Sequence, residues 1–132
     1  QRRESPNEIE DGAVCVGDDR HGGVVVSIAV SNHGKAAGPV IKSNANQRYS
    51  TTGETAARFM ALCARAGVPC QQYAHRTDLG CGSTIGPIVA ARLGIPSVDV
   101  GSPMWAMHSI RESAGVLDHG YMIAALSAAF AD

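Results

Sequence analysis

Three stretches of this sequence hold side chains able to do chemistry. The first is Met107-His108-Ser109-Ile110-Arg111-Glu112. An imidazole can ligate a metal or carry a proton. If a helical turn starts at His108, Arg111 and Glu112 fall three and four residues on, where either can orient the ring. A lone histidine serves as readily as a structural residue, and the spacing is not the His-Glu-x-x-His of a metalloprotease helix. The second stretch is Gly80-Cys81-Gly82-Ser83-Thr84-Ile85-Gly86, followed by Asp99 at the end of the next strand. A glycine-rich turn ahead of a helix suits an anion, because free amides and the helix dipole both favour negative charge. With Asp99 it mimics a dinucleotide-binding fingerprint, but its spacing is G-x-G-x-x-x-G, so a tight loop for helix packing and the lining of a catalytic cleft compete with that reading. Ser83 and Cys81 lack both a G-x-S-x-G setting and a base beside them in sequence, so a structural or capping role suits them better than that of nucleophile. The third stretch runs from Gly38 to Tyr49. An apolar start leads into Lys42, two asparagines, Gln47, Arg48 and Tyr49. Lys42 and Arg48 are positive donors among hydrogen-bonding neighbours, a set that can recognise a carboxylate as well as decorate a solvated loop.

These stretches need elements to hold them. Residues 1–23 are polar and rich in turn signals, and read as an arm or loop. Val24 to Val30 is a continuous β-branched run, as in a strand covered on both faces. Val40-Ile41 is a short apolar piece. Thr51-x-x-Glu54 has the form of a capping box, Ala56, Phe59, Met60 and Cys63 recur at helical spacing, and Gly67 is the stop. Cys70 to His75 reads as a strand. Ser83 or Thr84 caps a second helix with Ile85, Ile88 and Val89 on one face. Ser97 to Val100 is a strand, and Asp118 caps a last helix bearing Met122, Ile123, Leu126 and Phe130. Strands alternating with helices give an α/β fold, a mostly parallel sheet flanked by helices in three αβα layers. Ligands in such sheets bind beyond the carboxyl ends of the strands, which points to the loops 31–39, 76–84 and 101–112.

Composition narrows the function. The 132 residues suffice for one domain with a core, and 45% of them are apolar. No run reaches the roughly 18 apolar residues of a membrane span. The net charge is -1 and only two of the basic residues are lysines, with no basic stripe, so neither nucleic acid nor a membrane surface is expected as a partner. The four cysteines form no C-x-x-C pair and read as reduced, buried thiols of a cytoplasmic protein.

Taken together, GPVIKSNANQRYS (Gly38 to Ser50), CGSTIGPIVAARLG (Cys81 to Gly94) and VDVGSPMWAMHSIRE (Val98 to Glu112) resemble consecutive blocks of the aspartyl aminopeptidase family, in the family's order and with similar spacing. The resemblance runs from Gly38 to the C-terminus. It implies a di-zinc exopeptidase catalytic domain that carries a second, dimerisation domain, removes N-terminal Asp or Glu from peptides, and assembles as a homo-oligomer. By position it makes His108 a zinc ligand, sets Lys42 and Tyr49 near the acidic side chain of the substrate, and has Gly82 and Ser83 line the same cleft. Zinc would lower the pKa of a bound water and polarise the scissile carbonyl, while a carboxylate takes the water's proton.

The sequence also departs from that family. It has no Glu-Glu pair, which in the family supplies the general base, and Val26-Ser27-Ile28-Ala29-Val30-Ser31-Asn32-His33 has no Asp where a ligand Asp is expected. No residue is therefore assigned as catalytic. One ligand cannot hold a catalytic zinc, which needs about three protein groups. Residues 24–132 then read as the C-terminal part of an incomplete catalytic domain. The alternatives are a degenerate, non-catalytic relative retained for assembly and a nucleotide-binding α/β domain using the Gly80–Gly86 loop.

Overall fold

The computed structural model describes residues 12–16, 24–28, 36–78, 85–107 and 109–131. Five strands form the main sheet: β1 (Gly12–Val16), β2 (Val24–Ile28), β3 (Val40–Ser43), β4 (Gln71–Ala74) and β5 (Ser97–Gly101), in the order β1-β2-β5-β3-β4. Strand β1 corrects the reading of residues 1–23 as an arm or loop. Its run Ala13-Val14-Cys15-Val16 has the β propensity to pair, and Val14 stands opposite Val26 in an antiparallel ladder. The sheet is evenly mixed, not mostly parallel. Strands β2 and β5 are parallel, as are β3 and β4, but β3 runs antiparallel to β5 at the centre. A further hairpin pairs β6 (Met104–Trp105) with β7 (Ser113–Ala114).

Helix α1 (Gly53–Arg65) starts one residue later than the sequence pattern suggested. Thr51 is unavailable as the cap because its Oγ1 accepts the Asp99 amide at 2.8 Å. Thr52 takes over, exchanging bonds with Thr55 in the capping box, and Glu54 instead pairs with Arg58 in the solvent. At the other end Gly67 has φ 66°, and the Gly67 and Val68 amides donate to the carbonyls of Ala64 and Cys63. That is a complete Schellman stop. The buried face of α1 is Thr55, Phe59, Leu62 and Cys63, with Met60 exposed contrary to the periodicity.

Helix α2 (Ile85–Leu93) buries only Gly86, so the apolar face expected at Ile85 and Ile88 is largely open to solvent. Helix α3 (Val116–Phe130) begins behind Gly115, and Asp118 lies inside its first turn instead of capping it. The Asp118 carboxylate is buried and accepts the amides of Ala36 at 2.7 Å and Gly38 at 3.0 Å, tying the approach to β3 onto α3. Both amides would be left unsatisfied in Asp118→Ala, a loss of roughly 2–3 kcal/mol. Chemical denaturation of the variant against the parent measures it.

The three αβα layers are present. Val98 and Val100 of β5 and Ile41 of β3 meet Phe59, Leu62, Met122 and Ala125 from α1 and α3 on one face. Asp99 and Lys42 alternate with those residues, so they leave the opposite face, where α2 lies against β2 and β5. Of the cysteines, Cys63 is in the core and Cys70 is half-buried beside it, both as free thiols. Hydrogen bonding to Cys70, then burial, holds the Cys63 thiol far above the usual range, while the Cys63 bond lowers that of Cys70. Cys70 should therefore be alkylated well before Cys63, an order that peptide mass spectrometry after timed iodoacetamide exposure reads directly.

Candidate active site

The Gly38–Tyr49 stretch folds back on itself after β3. Lys42 sits on β3, and beyond it Asn44 starts a tight turn: its Oδ1 accepts the Asn46 amide at 2.8 Å, and the Gln47 amide returns to the Asn44 carbonyl at 3.1 Å. Asparagine suits this place because its side chain can mimic a backbone turn. Gln47 takes φ 55°, and the chain doubles back to bring Tyr49 beside Lys42. The Lys42 Nζ stands 5.6 Å from the centre of the Tyr49 ring, within cation–π reach. Lys42 is fully buried and Tyr49 is 1% exposed. Arg48, the other basic residue of the strip, points into solvent.

Around this pair stand Tyr73 and His75, which sequence reasoning missed, and Asp99, which it assigned to a dinucleotide fingerprint. Tyr73 is in register with Lys42 on the neighbouring strand. Its hydroxyl bonds His75 Nδ1 at 2.7 Å, and the Tyr49 ring meets the His75 ring edge-on at 6.2 Å. His75 Nε2 is buried and has no hydrogen-bond partner among the described residues. On the other side Asp99, in register with Lys42 across the antiparallel ladder, is fully buried and accepts the Ser50 amide and, at 2.8 Å, its hydroxyl. A charged residue between two valines in Val98-Asp99-Val100 was the signal available in the sequence. Its carboxylate, packed against Ser50 and Gly86, does not reach for a ribose, which removes the acidic partner from the dinucleotide reading.

Gly82, Ser83 and His108 lie outside the described residues, so of the five site residues expected from the sequence the structure brings together Lys42 and Tyr49. The surroundings of His108 are described and are not helical. They form the loop between β6 and β7, where the Ser109 amide donates to the Ala106 carbonyl at 3.0 Å and Arg111 and Glu112 are exposed. Arg111 and Glu112 thus lie in a loop, not in the helical turn that the sequence reading allowed.

With that geometry in place, comparison with known proteins is decisive. The profile of the aminopeptidase I zinc metalloprotease (M18) family matches residues 30–130. The chain belongs to the M18 family. A probable M18 family aminopeptidase 2 of Pseudomonas syringae pv. syringae (strain B728a) is 55% identical over 103 residues, covering 76% of this chain and 24% of that protein. The corresponding protein of Stutzerimonas stutzeri (strain A1501) is 54% identical over 99 residues, 74% of this chain and 23% of its own length. This M18 chain thus spans about a quarter of the length of the curated relatives it matches. Among solved structures, the cryo-EM structure of the Ape4 and Nbr1 complex contains a chain with 37% identity and a TM-score of 0.73, over 81% of this chain and 23% of that one. Aminopeptidase I from Clostridium acetobutylicum, 21% identical, shares the fold with a TM-score of 0.64 over 81% of this chain and 28% of its own.

The family's description carries zinc. Among the described residues of this M18 chain, no three His, Cys, Asp or Glu side chains gather as a metal site. Those residues do not by themselves fit a catalytic zinc, so no chemical step is derived through one. No described helix is long and apolar enough to cross a membrane.

Proposed function

We propose that this chain is part of a zinc-dependent aminopeptidase that removes N-terminal Asp or Glu from peptides. The observation that carries the reading is the buried Lys42 held against the Tyr49 ring. A lysine held against an aromatic ring presents a positive donor, with which an acidic substrate side chain makes a charge-assisted bond that a neutral side chain cannot form. In this reading His108 gives one nitrogen to the zinc, Gly82 and Ser83 line the cleft, and the remaining donors come from the parts of the enzyme that the longer relatives have and this chain does not cover. No general base is assigned to this chain.

We also propose that the protein works as a homo-oligomer in the cytoplasm. The S. cerevisiae mApe1, of the same fold at 24% identity and a TM-score of 0.69, is a dodecamer. Exposed apolar residues on α2 and α3, among them Ile88, Leu93, Leu117, Ile123 and Phe130, offer surface for further protein to cover.

The test is zinc analysis of the purified full-length protein together with hydrolysis of Asp-, Glu- and Leu-p-nitroanilide. Bound zinc, activity removed by a chelator, and a preference for the two acidic substrates are expected. A protein equally active without metal, or one that prefers the leucine substrate, counts against the reading.

A further inference from the structure

Asp99 is a buried carboxylate that the proposed chemistry leaves unused, and its contacts point in three directions. Its Oδ2 accepts both the amide and the hydroxyl of Ser50, the residue after Tyr49. Its own amide donates to Thr51 Oγ1 at 2.8 Å. Three bonds thus fasten the returning arm of the 44–51 turn to β5. Its Oδ1 is buried with no hydrogen-bond partner among the described residues. On the α2 side the fit is closed: a methyl group at Gly86 would stand 2.9 Å and 3.0 Å from the two carboxylate oxygens and 3.2 Å from Ser50 Oγ. Lys42 lies opposite Asp99 in the antiparallel register, so both side chains leave the same face as neighbours of opposite charge.

Nothing in this set is needed to stabilise a sheet edge. A buried carboxylate is costly to hold, and this one spends two accepted bonds on Ser50 alone. What the carboxylate achieves is to fix where the turn ends, and the turn ends at Tyr49. We propose that Asp99 is a positioning residue which, through Ser50 and Thr51, sets Tyr49 against Lys42 and so determines the preference of that pair for an acidic N-terminal side chain. The inference rests on the proposed role of Lys42 and Tyr49.

The experiment compares full-length wild type, Asp99→Asn, Ser50→Ala and Lys42→Met on Asp- and Leu-p-nitroanilide, with KM and kcat determined separately. Asp99→Asn keeps the size of the side chain but turns an acceptor into a donor in front of Ser50 or α2. It is expected to raise KM for the aspartyl substrate by about tenfold, with a several-fold smaller effect on kcat and on the leucyl substrate, because the loss is one of ground-state placement. Ser50→Ala removes one of the three bonds and should shift the same ratio in the same direction by less. A change that is equal on both substrates, or an Asp/Leu ratio kept in both Asp99→Asn and Ser50→Ala, overturns the inference. If Asp99→Asn is recovered unfolded, the ratio in Ser50→Ala decides alone. Lys42→Met separates the two levels: a lost ratio there with a kept ratio in the other variants removes only the role of Asp99, whereas a kept ratio in Lys42→Met removes the acidic-substrate reading itself.

Discussion

Alanine at position 108 should lower kcat/KM of the full-length enzyme by about 10³-fold or more and reduce its zinc content. The magnitude follows from what is removed. Loss of an outer partner that merely orients a zinc ligand costs roughly 10–100-fold. Loss of a ligand from a catalytic site built on about three protein groups leaves the ion both weakly held and wrongly oriented. The neighbours Ser109 to Glu112 are exposed and carry no core contact, so the substitution should leave thermal unfolding of the metal-free protein unchanged. That combination distinguishes a ligand from a structural histidine. Wild-type zinc content with activity within about tenfold of the parent would mean that His108 has no place at the metal.

Lys42→Met is the second large effect, and it is selective. Methionine fills the same unbranched volume in the buried site but carries no charge. Truncating one member of a buried charge pair costs roughly 2–5 kcal/mol, so kcat/KM for an Asp-peptide should drop by about 30-fold to 10³-fold or more. The leucyl substrate makes no such pair and should be nearly unaffected. Removing the ammonium leaves the buried Asp99 opposite it without its neighbouring charge, so a lower unfolding temperature should accompany the selective loss. Parallel losses on acidic and neutral substrates would show that Lys42 holds up the sheet and reads nothing.

Much of this was legible in the residues, for identifiable reasons. The helices at Gly53–Arg65 and Val116–Phe130 announce themselves by periodicity, and Gly67 stops the first because only a residue at ease with positive φ continues the chain there. The resemblance of one block to a family singled out Lys42 and Tyr49 without pairing them, and the Asn44 turn is the physical means by which seven positions of separation become 5.6 Å. Other features depend on partners far along the chain. Thr51 looked like a cap, yet the Asp99 amide claims its hydroxyl across 48 positions. Asp118 had the right type and place to cap α3, but the amides of Ala36 and Gly38 capture its carboxylate from 82 and 80 positions upstream. The mixed sheet escaped because the helix-strand alternation fixes only how successive strands connect. The antiparallel β3–β5 pairing at the centre is set by which strand slides in beside which, and no local pattern records it.

In the proposed cleft the Lys42–Tyr49 pair receives an acidic side chain beside a zinc that His108 helps to hold. Anomalous scattering at the zinc edge from crystals of the full-length enzyme tests it in one step. The predicted result is a zinc about 2.0–2.1 Å from a ring nitrogen of His108, on the sheet face from which Lys42 and Asp99 project. A zinc bound elsewhere, or a His108 ring turned away from that face with no metal beside it, would contradict it.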